Sequence, residues 1–312
     1  MKREVLVMGP FYAPKLAELE RRFTAHKLWL EKDRDAYLAS VAERITAVAS
    51  SGARGIDAAT MDKLPKLELI AHFGVGVDSV DTEAAKQRGI AVTNTPDVLT
   101  EDVADLAMAL LLATVRRIPQ GDRFVRAGQW AQAAFPLTDT LQGRTLGIVG
   151  MGRIGRAIAR RAEAFNLRIA YQGPNRKADA PWPYFADPAA LARECDFLAI
   201  ACPGGEATRG LVDREVIEAL GPQGVLVNIS RGSVVDEPAL LAALKDGRLG
   251  AAGLDVFCNE PRIDAAFLAL DNVVLQPHVG SATHPTRAAM GQLVIDNLEA
   301  YFAGEPLRTR YA

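Results

Sequence analysis

The sequence predicts an α/β protein built from two doubly wound parallel-sheet domains of unequal size. Short apolar runs alternate with helix-period segments along almost the whole chain, as expected for repeated strand–helix–strand units. One long helical pattern and a polar stretch, near residues 100–142, interrupt the alternation once and divide it into two series. The 312 residues suffice for about two domains of ~100–200 residues, each with its own core.

The first series offers five strands, Val5–Met8, Lys27–Leu30, Thr46–Ala49, Leu67–Phe73 and Ile90–Thr93. Amphipathic segments such as Pro14–Phe23 and Thr82–Arg88 lie between them, and Gly89 stands where the latter needs a C-cap. A long helix is expected from Thr100, because Val103, Leu106, Ala107, Leu110 and Leu111 share one face at 3.6-residue spacing. Thr100 suits its cap, Glu101 and Asp102 the positive end of its dipole, and Arg116 and Arg117 the negative end. Pro119 is expected to stop it. Gly121–Gln142 reads as a polar connection that carries Trp130 and Phe135. The second series offers six strands, Thr145–Val149, Leu167–Tyr171, Asp196–Ala201, Val225–Ser230, Ala251–Val256 and Val273–Gln276. The segment from Pro285 reads as a closing helix through Met290, Leu293, Val294, Leu298 and Tyr301.

Composition excludes several classes of function. With 36 Lys+Arg against 38 Asp+Glu the net charge is −2, so no basic field marks a nucleic-acid or membrane-surface partner. The longest apolar run, Ala107–Ala113, is far short of the ~18–20 residues that span a bilayer. The apolar start Val5–Met8 is too short for a secretory leader, so a cytoplasmic protein is expected. Cys195, Cys202 and Cys258 are odd in number and widely spaced, and there are four histidines, so neither a disulfide framework nor a metal site is expected.

Gly150-Met151-Gly152-Arg153-Ile154-Gly155 directly follows a strand, opens the helical pattern Ala157–Phe165, and precedes a second strand. In that context the glycines are a dinucleotide fingerprint: Gly150 for a tight turn, Gly152 for backbone approach to a pyrophosphate, Gly155 for close helix–strand packing. Free N–H groups at the helix start then bind the anion. A glycine-rich turn without ligand is the plain alternative. The second strand decides the nucleotide. An NAD site places Asp or Glu at its end to accept the ribose 2′-OH. Here it runs into Gln172-Gly173-Pro174-Asn175-Arg176-Lys177, with no acid and two cations, which favours the 2′-phosphate of NADP over NAD.

In open α/β sheets ligands lie outside the carboxyl ends of the strands. The later strands end in Ser230-Arg231-Gly232, Asp255–Pro261 and Pro277-His278-Val279-Gly280. An arginine, an acid pair and a histidine therefore converge on one edge. These types suit hydride transfer to a 2-oxo acid, which leaves negative charge on an oxygen that must be protonated. His278 is the natural acid, Glu260 supports its charged form, and Arg231 binds the substrate carboxylate or carbonyl oxygen. Asp255 is expected to accept from the nicotinamide carboxamide. Taken singly, the three read as a structural histidine, a surface acid and a loop cation. In the first domain, Phe73-Gly74-Val75-Gly76-Val77-Asp78 is a strand-to-helix turn, and the amides of Val75 and Gly76 are candidates for the substrate carboxylate. His26 and His284 read as surface or packing residues, whereas His72, beside that turn, has an open role.

The stretches Phe73–Asp78, Asn94-Thr95-Pro96-Asp97, Thr100–Leu112, Leu146–Gly155, Val227–Asp236, Gly253–Pro261 and Pro277–Thr283, in that order, resemble the D-isomer-specific 2-hydroxyacid dehydrogenases. Within that family they are most similar to the glyoxylate/hydroxypyruvate and hydroxyphenylpyruvate reductase branch. The resemblance implies a Rossmann nucleotide-binding domain over 98–284 and a smaller flavodoxin-like substrate domain from 1–97 with 285–312. It implies a hinge near Pro96–Thr100 and Ser281–Pro285, and reduction of a 2-oxo acid to the D-2-hydroxy acid by NADPH or NADH. The implied catalytic triad is Arg231, Glu260 and His278, with His278 as proton donor. The cofactor set comprises Thr100, Gly150, Met151, Gly152, Arg153, Ile154, Gly155, Gly173, Asn175, Arg176, Lys177, Cys202, Pro203, Thr208, Ile229, Ser230, Asp255, His278 and Gly280. A homodimer joined through the nucleotide domains, with Gly121–Gln142 exchanging contacts, is also implied. Two positions depart from the family pattern: Cys258, where an acid is usual, and Pro174, where relatives that prefer NADP often have Arg.

Two rivals remain. A nucleotide-sensing corepressor would carry a disordered or low-complexity tail, and none is evident. An NAD-linked relative acting on phosphoglycerate, bulky phenylpyruvates or formate is the nearer one, although formate enzymes usually pair the histidine with Gln rather than with an acid such as Glu260.

Overall fold

The computed structural model describes residues 2–311. The chain separates into two compact units, Met1–Leu99 with Ala282–Ala312, and Thr100–Ser281. Among the described residues the first unit holds five strands, β1 (Glu4–Val7), β2 (Thr24–Lys27), β3 (Ala47–Ser51), β4 (Leu69–Phe73) and β5 (Ala91–Thr93). All pair in parallel, in the order β2-β1-β3-β4-β5, so the topology switches between β1 and β3. The inner strands β3 and β4 are buried throughout, which explains their continuous apolar character. Leu6, Val48 and Ile70 lie in one apolar cluster with Leu38, Ile45 and Met61, each burial worth ~1.5–3 kcal/mol. The closing helix, His284–Ala303, begins at the cap Thr283, whose side chain accepts from the Thr286 amide, and ends at Gly304. It packs on β4 and on the helix Ala13–Arg22.

The second unit holds β6 (Thr145–Val149), β7 (Arg168–Gln172), β8 (Tyr184–Phe185), β9 (Phe197–Ile200), β10 (Val225–Asn228), β11 (Ala251–Leu254) and β12 (Val273–Leu275). Their order is β12-β11-β10-β9-β6-β7-β8, again all parallel. The direction of winding reverses between β6 and β9, which makes the carboxyl edge beside β6 the expected ligand crevice. The helix Thr100–Val115 lies against β11, where a side chain at Gly253 would stand 2.9 Å from Thr114 Oγ1.

Four elements differ from the sequence reading. The second strand is Thr24–Lys27, not Lys27–Leu30; Leu28–Leu30 forms a 3₁₀ turn that buries Leu28. Pro119 does not merely end the long helix. That helix stops at Val115, Arg117 turns left-handed at φ 50°, and Pro119 sits in the first turn of a new helix, Ile118–Arg126. The stretch from Gly121 is therefore helical at its start rather than irregular. Thr100 is the first helical residue rather than the cap. A seventh strand, β8, extends the sheet by two residues. No helix among the described residues is long and apolar enough to cross a membrane.

Candidate active site

The phosphate loop follows β6. Gly150 has φ 98°, and a side chain there would meet the Cys202 amide nitrogen at 2.5 Å, so the turn and its contact with the β9 loop both require glycine. A side chain at Gly155 would stand 2.1 Å from the Gly150 carbonyl oxygen, which fixes how closely the helix approaches the strand. Gly152 is different: nothing lies within 4 Å of a side chain built there. It is the N-cap of the helix Arg153–Ala164, and no side chain caps that helix. An open glycine before uncapped helical N–H groups is what a pyrophosphate needs, so these residues fit a dinucleotide.

Beyond β7, Gly173 is buried and its carbonyl accepts from the Tyr184 hydroxyl at 3.1 Å. The Lys177 amide donates to Tyr171 Oη at 2.8 Å, while the side chains of Asn175, Arg176 and Lys177 are exposed. Asp179 is the acid of this loop, and it pairs with Arg156 at 2.7 Å. In the β9 loop, Thr208 donates to the Pro203 carbonyl at 2.7 Å, and Ser230 from the β10 loop donates to the Cys202 carbonyl. Ile229 is buried. Burial pushes the Cys202 thiol up to about 11, so this cysteine is a packing residue rather than a nucleophile.

The three candidate catalytic side chains stand at the ends of β10, β11 and β12. Arg231 follows β10; Asn228 holds its loop by donating to the Arg231 carbonyl and accepting from the Ser230 amide, both at 3.0 Å. Gly204 makes room for it, since a side chain there would lie 2.6 Å from Arg231 Cγ. Gly232 lets its loop touch the next one, because a side chain would stand 2.0 Å from the Phe257 carbonyl carbon. Asn228, Gly204 and Gly232 were not among the sequence candidates. The signal for Asn228 was available: a polar residue ending an apolar parallel strand.

Glu260 accepts from the Phe257 amide at 2.9 Å through Oε1 and meets His278 Nδ1 at 2.6 Å through Oε2. Burial pushes the Glu260 carboxyl up, but the hydrogen bonds from His278 and Phe257 and the charges of His278 and Arg231 outweigh it and hold it below its ordinary range. Its stabilising effect is thus present above the ordinary carboxylate pKa and lost as pH falls through the held-down value. An ionised carboxylate only accepts, so Nδ1 of His278 carries a proton and Nε2 is left to exchange one.

His278 sits at φ 54°, a left-handed conformation that costs a non-glycine residue ~1–2 kcal/mol. Asp255 holds it there. Its carbonyl accepts from the His278 amide at 2.8 Å, and its carboxylate from Val279 at 2.7 Å and Gly280 at 2.9 Å. Burial raises the Asp255 carboxyl above its ordinary range, against the pull of those two amides. Asp255 is expected to accept from the nicotinamide carboxamide, and its two oxygens also fasten the loop that carries His278.

In the first unit, Thr95 N donates to the Gly74 carbonyl and Asn94 Nδ2 to the Val75 carbonyl, both at 2.9 Å. In a planar trans peptide the N–H opposes the C=O. Tying down these two carbonyls therefore aims the amides of Val75 and Gly76 the other way. Phe73 stacks on Phe11 at 5.3 Å, with the Arg287 guanidinium 5.6 Å over its ring. His26 is a packing residue between Glu4 and Tyr37, at 2.7 and 2.9 Å, and His284 is exposed beside Tyr12.

The family model described as "D-isomer specific 2-hydroxyacid dehydrogenase, NAD binding domain" matches residues 108–280, more than half of the chain. The chain belongs to the D-isomer-specific 2-hydroxyacid dehydrogenase family. It is 48% identical over 305 residues to the hydroxyphenylpyruvate reductase of Plectranthus scutellarioides, covering 98% of this chain and 97% of that one. Identity and both coverages are the same for the glyoxylate/hydroxypyruvate reductase A HPR2 of Arabidopsis thaliana. Among solved structures of such dehydrogenases, the NADPH-dependent glyoxylate/hydroxypyruvate reductase of Sinorhizobium meliloti, in complex with NADP and malonate, superposes with a TM-score of 0.92. It is 43% identical, with 100% of this chain and 97% of that one covered.

Proposed function

We propose that this dehydrogenase reduces 2-oxo acids, glyoxylate and hydroxypyruvate foremost, to D-2-hydroxy acids with NADPH. The observation that carries the reading is the His278–Glu260 hydrogen bond of 2.6 Å, on the strand ends beside Arg231, in a sheet whose glycine loop fits a dinucleotide. The reduced nicotinamide, when bound, supplies the hydride. His278 delivers the proton to the carbonyl oxygen from Nε2, and Glu260 holds the imidazolium and its orientation. Arg231 neutralises the charge that gathers on that oxygen. The amides of Val75 and Gly76 take the substrate carboxylate. The smaller unit serves the substrate and the larger one the nucleotide.

NADP is preferred because no carboxylate ends β7 and Arg176 stands exposed beyond it. The test is steady-state reduction of a panel of 2-oxo acids, phenylpyruvates included, with NADPH and with NADH. Turnover of the small acids with NADPH is expected, and none with any 2-oxo acid would overturn the reading. Arg176→Ala should raise KM for NADPH about tenfold and leave KM for NADH nearly unchanged; an unaltered preference would mean that another group reads the phosphate.

A homodimer completes the proposal. Ile118–Leu137 exposes Trp130 to 69% and Leu137 to 99%, apolar surface that a second copy would cover. Phe135 is already engaged, edge-on to Phe124 at 5.3 Å and under Arg117 at 5.8 Å, which leaves Trp130 as the exposed aromatic ring of this arm. Sedimentation at twice the 33.5 kDa chain mass is expected, and a monomer would contradict it.

A further inference from the structure

We infer that His72, pinned by Ser50, is a positioning residue that sets the Gly74–Gly76 turn for the substrate carboxylate. The inference rests on the proposed role of the Val75 and Gly76 amides. His72 is wholly buried in β4, an inner strand whose other residues are Leu69, Ile70, Ala71 and Phe73. Such a strand calls for apolar side chains, and a buried imidazole is costly unless it is hydrogen-bonded. Ser50 meets that need. It is the register partner of His72 on β3, only 2% exposed, and its hydroxyl shares a hydrogen bond of 3.0 Å with His72 Nδ1. The far edge of the ring then lies under the turn. A side chain at Gly74 would stand 2.9 Å from Nε2 and 3.2 Å from Cδ2 of His72. The imidazole is therefore the floor on which Gly74 rests, while Thr95 and Asn94 fasten the carbonyls of Gly74 and Val75. Floor and fastenings together fix the two peptide planes whose N–H groups take the carboxylate. The Ser50 hydroxyl acts one step further back, by holding the ring's angle.

The test measures the full-length chain with glyoxylate and hydroxypyruvate in three variants: Ser50→Ala, His72→Phe and the double variant. Ser50→Ala removes the hydroxyl's bond to the ring, and His72→Phe keeps its bulk but removes the bond from the other side. Each single variant is expected to raise KM for both acids about fivefold or more, with kcat within about twofold and KM for NADPH unchanged, the pattern of lost uniform binding. The double variant should raise KM no further than the larger single effect, because both changes remove one interaction. Unchanged KM in the folded variants would overturn the inference. So would additive losses in which kcat, both KM values and melting temperature worsen together, since those describe packing alone. Should His72→Phe fail to fold, Ser50→Ala decides by the same KM criterion. A parent chain that reduces no 2-oxo acid overturns the reading of the site and this inference with it; a parent that turns over, with KM unmoved in the variants, overturns the inference alone.

Discussion

His278→Ala is expected to lower kcat for 2-oxo acid reduction by about 10²–10⁴-fold while cofactor affinity stays nearly intact. The size follows from the role proposed for the residue. Hydride addition without a placed acid would leave a strongly basic, high-energy alkoxide, and water is too weak an acid to relieve that charge as it develops. With Nδ1 committed to Glu260, Nε2 is the atom that can hand over the proton. Nothing about the phosphate loop depends on that ring. Gly150, Gly152 and Gly155 lie on the β6 turn, and their contacts are with Cys202, open space and Gly150 itself. Cofactor titration by fluorescence, alongside the kinetics, separates the two effects. Equal turnover in the variant would refute the proton-donor role, whereas a loss confined to cofactor binding would move His278 into the nucleotide site alone.

Arg231→Ala is expected to cost about 10²–10³ in kcat/KM, some 2.7–4 kcal/mol of transition-state stabilisation. The guanidinium is placed rather than free. Asn228 fixes its backbone, its Nη1 donates to the Ser230 carbonyl at 2.8 Å, and Gly204 leaves space along its stem. In the proposed reaction such a held group would meet the oxygen on which charge develops, and removing it would forfeit that stabilisation without repacking a core. Lysine restores little, since an ammonium offers a point charge and no planar fork. Arg231→Lys should therefore stay within about tenfold of the alanine variant. A lysine variant close to the parent would show that charge, not geometry, is what the site uses.

Much of this arrangement can be read from residues alone, for a physical reason. A buried parallel sheet demands continuous apolar strands, and its carboxyl ends are the places where polar residues are free to gather. Ser230-Arg231, Glu260 and His278 stand out against Val, Ile and Leu for that reason. What stays hidden depends on weaker forces. Thr24–Lys27 is an edge strand with one buried residue, so its pattern is not apolar, and the neighbouring Leu28 draws attention to a turn instead. Tyr184–Phe185 is a two-residue strand without a run to detect. Ile118–Arg126 has a proline at its start and Gly121 inside, both of which read as breakers until Arg117 is seen to take the left-handed turn between two helices. Asp255 shows a different limit. Its acidity marks it as important, but only the fold reveals that its partners are the Val279 and Gly280 amides. The same holds for His72 and Ser50, 22 positions apart, which only strand register brings side by side.

The claim at the centre is that the imidazole of His278 gives up a proton in the reaction. Its most direct test is the pH dependence of kcat for glyoxylate reduction under saturating NADPH, in the parent and in His278→Ala. The parent should lose rate as pH rises, because the proposed step needs a proton supplied through Nε2, and the variant should be slow and lack that fall. The same alkaline fall in both proteins would contradict the claim.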